Sequence, residues 1–318
     1  MKSGALSGVV LAMLWASPAP APAPAQPLPA TPPPAAASGP TTATSAPDVP
    51  DNLKVAQDVT RRLKIDVMIN GKGPFDFIID TGSDRTVISR ELAAQLGLPA
   101  GPSVTMHETI GVDEVPTVII DHLQFGARSL DHIQAPAVGA ADLGAMGLLG
   151  IDALHDLHIV MDFKTLRLTA SASRPEPYDP DAIVIRGRSR YGQLILVDAE
   201  IRGVPVSVVM DTGSDLSVGN TALLKLLTGR TKTEGARQQA VMISVTGRRR
   251  AVDLETIDEA RIGGLSVRHL PLGFDELPIF DRFGLTRQPA MLLGMDVLSQ
   301  CKRISVDFRR REAVFTLN

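Results

Sequence analysis

The chain has 318 residues, 44% hydrophobic and 21% charged, which suits one or two globular domains with sizeable cores. A net charge of −3 supplies no long-range field that would draw nucleic acid. A single cysteine, Cys301, excludes an internal disulfide framework and reads as a small apolar residue at the start of the last strand. Two basic runs, Arg248-Arg249-Arg250 and Arg309-Arg310-Arg311, read as solvated turn or strand-edge charges, because a nucleic-acid footprint needs a wider basic face.

The N-terminus carries Lys2 and then an uncharged apolar run from Ala5 to Ala16, followed by small residues and prolines. This pattern predicts a secretory signal peptide over residues 1–25 and hence a periplasmic or secreted protein. The run is short of the roughly 20 residues that span a bilayer, so no stable membrane insertion is expected after cleavage; an uncleaved anchor is the alternative. Residues 26–51 are dominated by Pro, Ala, Ser and Thr and read as an extended tether. They lack the basic, helical character of a segment that plugs an acidic cleft.

Leu63, Ile65, Val67 and Ile69 alternate with Lys64, Asp66 and Met68, which predicts a half-buried strand. Asn70-Gly71 signals a tight turn. Phe75, Phe77 and Ile79 then alternate into Asp80. A short helix should follow, capped by Ser89 and ended by Gly97. The same series recurs later: Val197, Ala199 and Ile201, a turn at Gly203, then Val206, Val208 and Met210 into Asp211, with Asn220 and Gly229 bounding a second helix. The remainder is rich in Val, Ile and Thr with scattered Gly and Pro, which is strand-and-turn composition.

The chain thus repeats itself. Asp80-Thr81-Gly82-Ser83-Asp84 returns as Asp211-Thr212-Gly213-Ser214-Asp215, Leu148-Leu149-Gly150 returns as Leu292-Leu293-Gly294, and Asp162-Phe163 returns as Asp307-Phe308. Three landmarks in one order indicate a duplication. The step from the aspartate to the Leu-Leu-Gly glycine is 70 residues in the first copy and 83 in the second, which places a longer insertion near residues 272–290. The expected organisation is an N-terminal lobe over 52–172, a Pro-containing connection over 173–190 and a C-terminal lobe over 191–318, both lobes mostly β.

With two Asp-Thr-Gly-Ser motifs, each followed by Leu-Leu-Gly, the sequence resembles the aspartic proteases of the pepsin and retroviral type, and most of all bacterial retropepsin-like proteins. The resemblance covers about residues 60–318 and implies a bilobal acid-protease fold of two retropepsin-like β-barrel lobes related by a pseudo-two-fold axis. It implies an aspartic endopeptidase acting on polypeptide, with no cofactor and no metal, and with Asp80 and Asp211 as the catalytic pair. Two carboxylates in contact share a proton, so one can take a proton from water while the other protonates the substrate carbonyl. The pair titrates as a unit. By the same resemblance Thr81 and Thr212 bond across the lobe interface, Ser83 and Ser214 bond the outer carboxylate oxygens, and Gly82 and Gly213 admit close backbone approach. Leu148-Leu149-Gly150 and Leu292-Leu293-Gly294 would pack behind the motif loops. Mobile hairpins over the cleft, called flaps, would carry Thr109-Ile110-Gly111 and Val245-Thr246-Gly247.

Position 84 and position 215 are aspartate where that family more often has a small residue, which bears on the pH optimum. A calcium loop lacks the alternating oxygen ligands it would need, and His155 with His158 lacks further zinc ligands. Asp152, Asp162, Asp296 and Asp307 read as turn and strand residues of the duplicated scaffold. The rival reading is a catalytically inactive peptide-binding module of the same fold. Two lobes in one chain make pairing between chains unnecessary, so a monomer is expected.

Overall fold

Each half begins with a hairpin whose turn is set by its residues. In a computed structural model describing residues 15–17, 51–58, 61–175, 179–190, 192–196, 199–229 and 238–317, Asn70 and Gly71 both take positive φ, 50° and 75°, as do Arg202 and Gly203, 53° and 76°. That is the turn whose twist matches the flanking strands. Leu63–Ile69 buries its odd-numbered residues and pairs with Lys72–Ile79, which runs into Asp80. In the second half Val204–Pro205 and Ser207–Met210 lead into Asp211. Val197 and the segments 1–14 and 18–50 of the expected leader and tether lie outside the described residues.

Both short helices form where the caps predict them. Ser89 Oγ accepts the Leu92 N–H at 3.1 Å and Gly97 closes Arg90–Leu96 with φ 65°. Asn220 Oδ1 accepts the Leu223 N–H at 2.9 Å and Gly229 closes Thr221–Thr228 with φ 72°. These helices leave the apolar sides of their lobes covered: Leu92 and Ala93 in one, Leu223, Leu224 and Leu227 in the other, are buried.

Each lobe then builds long hairpins. Ala100–Glu108 pairs with Gly111–Phe125, and Gln238–Ile243 pairs with Arg249–Ile262. Each Leu-Leu-Gly segment enters its sheet as a short strand parallel to the strand that ends in the motif, Gly147–Leu149 beside Phe77–Ile79 and Ala290–Leu293 beside Ser207–Met210. Trp15–Ser17 pairs antiparallel with residues 105–107.

A six-stranded antiparallel sheet joins the halves. Its order is Asp51–Lys54, Arg167–Ala172, Leu157–Asp162, Arg303–Asp307, Glu312–Thr316, Ile183–Arg190, with the seam between Leu157–Asp162 and Arg303–Asp307. Each half supplies three strands in mirrored sequence, which explains why Asp162-Phe163 and Asp307-Phe308 recur. This corrects the expected connection over 173–190: residues 183–190 are a strand of the shared sheet, paired with Glu312–Thr316 and with Ile185 buried in the core. Asp51, the last residue of the expected tether, is already in the edge strand. Cys301 is buried just before the next-to-last strand rather than at the last.

The longer second copy also needs correction. The hairpin turn at Gly126 lies 46 residues after Asp80, while its counterpart Gly263 lies 52 after Asp211; Gly150 follows by 24 and Gly294 by 31. The extra length is therefore split. One part falls before Gly263 and the other near residues 275–289, where the helix Pro278–Arg282 has no equal-length counterpart in the first lobe.

Candidate active site

The two motif loops meet where the lobes touch. Asp80 N–H donates to Leu149 O and Asp211 N–H to Leu293 O, both at 3.0 Å, so each aspartate is fixed from its own backbone by the Leu-Leu-Gly strand. Behind each loop the glycine is obligatory. A side chain on Gly150 would strike the backbone of Arg85, and one on Gly294 the backbone of Leu216 and Ser214. Ile151 N–H and Met295 N–H donate to Ser83 O and Ser214 O, each at 2.7 Å.

The threonines cross the interface as the resemblance implies. Thr81 N–H donates to Thr212 Oγ1 at 3.1 Å and Thr212 N–H to Thr81 Oγ1 at 3.2 Å. Each hydroxyl then donates onward to the opposite strand, Thr81 to Met210 O at 3.2 Å and Thr212 to Ile79 O at 2.8 Å. All these groups are buried, so their loss would leave unpaired polar atoms at the interface.

The serines do not act as expected. Ser83 Oγ donates to Arg85 O at 2.7 Å and Ser214 Oγ to Leu216 O at 2.9 Å, each closing its own loop. Backbone takes the place foreseen for the hydroxyls. Gly82 N–H at 2.8 Å and Ser83 N–H at 3.0 Å donate to Asp80 Oδ1, and Gly213 N–H donates to Asp211 Oδ1 at 2.9 Å. The inner oxygens, Asp80 Oδ2 and Asp211 Oδ2, are buried and take no hydrogen bond from any other described residue. They belong to two carboxyls that act directly on one another. A Cβ at Gly213 would collide with the Asp80 carboxyl, which shows how closely the second lobe approaches the first.

Burial dominates the electrostatics. It pushes the Asp80 carboxyl up to about 6, against the N–H groups of Gly82 and Ser83 that favour its charged form. Burial and then the neighbouring Asp80 charge push Asp211 well above the usual carboxylate range. The pair therefore holds one shared proton once the pH rises above about 6.

The two hairpin tips each cross to the opposite lobe. Ile110 at the first tip packs against the apolar cluster of the second lobe around Phe280, Phe283 and Leu292. Val245 at the second tip is buried in the first lobe's cluster with Ile78, Val115 and Leu148. Polar contacts join the tips: Arg248 Nε donates to Asp113 Oδ2 at 2.7 Å and Thr246 Oγ1 to the same oxygen at 2.9 Å. A side chain at Gly111 would strike Arg248, and Gly247, with φ 85°, lies over Asp142. Buried Glu108 faces the Ser244 and Thr246 hydroxyls, and burial raises its carboxyl. Asp80 and Asp211 are 0% and 1% exposed, so this is a closed arrangement.

Asp84 and Asp215 differ. Asp84 receives Arg282 from the opposite lobe and Gln193 Nε2 at 3.2 Å. Burial raises it and Arg282 opposes the rise. Asp215 Oδ1 is buried without a hydrogen bond, and burial, opposed by Arg62, brings its carboxyl up to about 7. Arg62 is itself committed to Asp58, Nε to Oδ2 at 2.7 Å.

Sequence reasoning missed several of these groups. Thr86 N–H and Oγ1 donate to Asp152 Oδ1 at 2.9 and 2.8 Å; Ser217 N–H donates to Asp296 Oδ2 at 3.0 Å and its hydroxyl to Oδ1 at 2.6 Å. The signal was in the repeat: both acids sit two residues after the Leu-Leu-Gly glycine and both hydroxyl residues six after the motif aspartate. Gln193 and Arg62 hold equivalent positions in the repeat but differ in residue type, and Arg282 and the Asp113–Arg248 pair left no signal in the repeat. His155 Nδ1 lies 3.1 Å from Ile151 O and His158 Nε2 lies 2.7 Å from Ser305 Oγ, so the two histidines face separate partners.

Comparison with known families agrees with this geometry. Residues 65–156 match the family described as gag-polyprotein putative aspartyl protease, and residues 197–297 match the family described as aspartyl protease. Each match contains one Asp-Thr-Gly-Ser loop and one Leu-Leu-Gly strand. No curated protein matches the chain.

Proposed function

We propose that this chain, which belongs to the retropepsin-like aspartic protease family with two domains in one polypeptide, is an active endopeptidase whose catalytic pair is Asp80 and Asp211. The observation that carries the reading is the pair itself: two buried carboxyls, each held through its outer oxygen by backbone N–H groups, directed at one another across the lobe interface.

The chemistry follows from one shared proton. The ionised carboxyl takes a proton from a water molecule as that water attacks the peptide carbonyl carbon. The protonated carboxyl gives its proton to the carbonyl oxygen, so a neutral gem-diol forms and no acyl-enzyme is needed. The gem-diol then collapses as its nitrogen is protonated and the C–N bond breaks. The N–H groups on Asp80 Oδ1 and Asp211 Oδ1 hold both carboxyls in place throughout. Ile110 and Val245 exclude bulk water when the tips close.

The test is cleavage of a diverse peptide pool from about pH 3 to about pH 8, with Asp80→Asn and Asp211→Asn alongside. Each substitution should lower turnover by at least about a thousandfold while the thermal transition remains cooperative. A peptide pool left intact by the wild type but retained on the folded protein would instead identify a binding module. The substrate is a polypeptide in extended form, and the chain works as a monomer because it holds both halves of the site. Lys2 and the run Ala5–Ala16 support export, which N-terminal mass spectrometry of the exported protein would test; Met1 on that protein would refute cleavage.

A further inference from the structure

The six-stranded sheet gathers arginines that the sequence scatters. The turn between Arg303–Asp307 and Glu312–Thr316 carries Arg309, Arg310 and Arg311, all exposed. Gly187 N–H donates to Arg311 O at 2.8 Å, which sets exposed Arg186 and Arg188 beside that turn. Asp307 accepts both Ser173 Oγ at 2.8 Å and Arg310 N–H at 2.9 Å, which brings exposed Arg174 to the same end. Six guanidinium groups therefore lie at one end of one sheet, in a chain whose net charge is −3.

Little on the described surface neutralises them. Glu312 lies 3.9 Å from both Arg186 and Arg310, and its own side chain is only 13% exposed. Asp307 is buried and occupied by the turn and by Ser173. Asp156, at the start of the neighbouring strand, is paired with Arg128 at 2.8 Å. Confining like charge in this way costs repulsion energy, which a layer of anions would relieve.

We propose that this end of the sheet is a docking surface for an anionic phospholipid bilayer. Arginine forks match phosphate oxygens, and clusters of four to eight basic side chains are what bind acidic headgroups. The place in the chain favours a bilayer over other polyanions. Asp51 pairs with Ala170, so the polypeptide enters the sheet at this same end, three strands from the arginine turn and about 14 Å away. The residues before Asp51 include the apolar run Ala5–Ala16. Before that leader is removed, the chain carries a membrane-directed segment upstream of this end.

Co-sedimentation of the full chain with vesicles tests the proposal. Vesicles of phosphatidylcholine alone are compared with vesicles carrying about 30 mol% phosphatidylglycerol; affinity should rise at least tenfold on the latter and vanish near 0.5 M salt. Arg309→Gln/Arg310→Gln/Arg311→Gln should weaken binding to the anionic vesicles about 100-fold, near fivefold per arginine. Arg186→Gln/Arg188→Gln, on a separate strand, should weaken it about 20-fold and carries the test should the turn variant not fold. Equal binding to neutral and anionic vesicles, or unchanged binding by both variants, overturns the proposal. So does displacement from the vesicles by a DNA duplex at equal phosphate concentration, which would mark a general polyanion surface.

Discussion

The two lobes answer the same chemical requirement with the same backbone and with different charges. Eighteen residues before each motif aspartate stands a side chain that reaches toward the other lobe: Gln193 before Asp211 and Arg62 before Asp80. Gln193 bonds Asp84, and Arg282 from the inserted helix joins it. Arg62 acts on Asp215 only at a distance, because Asp58 already holds its guanidinium. The inner positions, by contrast, make matching contacts: threonine to threonine, N–H to carboxylate, glycine against backbone. Duplication has kept what the proton-sharing geometry demands and released what surrounds it.

The largest break in that comparison should come from Gly213→Ala. Its Cβ would enter the Asp80 carboxyl, so turnover should fall by about three orders of magnitude even though the side chain added is a single methyl. Near-normal turnover, measured on the same peptide pool, would mean that the lobes can separate without cost and that the close approach is not needed.

Thr81→Val and Thr212→Val each strip a buried hydroxyl that donates to the opposite strand and accepts from the opposite threonine. Denaturant unfolding should show a loss of about 2–3 kcal/mol for either, because partners are left unpaired. Equal losses sharpen the symmetry; a loss in only one breaks it.

Asp84→Asn and Asp215→Asn should differ in size at pH 8. Burial raises the Asp84 carboxyl while Arg282 opposes the rise, so losing the ion pair and relieving the buried charge largely offset, and Asp84→Asn should change stability by no more than about 1 kcal/mol. Asp215 has a folded-state pKa raised to about 7 by burial. Its contribution to stability is present below the pKa of the unfolded chain and is lost as pH rises through about 7. Asp215→Asn should therefore stabilise the protein at pH 8, by up to roughly 2–4 kcal/mol, and have little effect near pH 4. Thermal unfolding at both pH values checks this; a stabilisation that grows toward acid pH would contradict it.

The smallest effect concerns the tips. Asp113→Asn removes an ion pair that is half exposed on the arginine side, so the closed arrangement should weaken only modestly. Substrate capture, read as kcat/KM, should rise about two- to fivefold, and added salt should have the same effect on the wild type. The pH profile supplies a companion measurement. Since burial holds Asp80 near 6 and Asp211 higher, the singly protonated pair begins near pH 6 and extends upward, and activity should decline on the acid side of that point.

Much of the site was legible because its chemistry is local. Asn70-Gly71, the caps Ser89 and Asn220, and the terminators Gly97 and Gly229 each act within a few residues, and all stand where periodicity and turn chemistry put them. Asp80 and Asp211 were legible because the motif is repeated. The serine hydroxyls were misjudged for a geometric reason: in a loop this tight the N–H groups of residues 82, 83 and 213 reach the carboxylates first, and each hydroxyl turns to a carbonyl two residues on.

Sequence alone determined the duplication, the mostly β class, the motif aspartates and the helix boundaries, since these depend on residue type and short spacing. Only the tertiary structure decided which residues from opposite halves meet. Gln193 with Asp84, Arg248 with Asp113, and Arg174 with the Arg309–Arg311 turn are each brought together across more than 100 residues of chain. No propensity or periodicity encodes such pairs. They follow from the register of a sheet assembled from both halves, and that register is fixed by burial of the whole core rather than by any one segment.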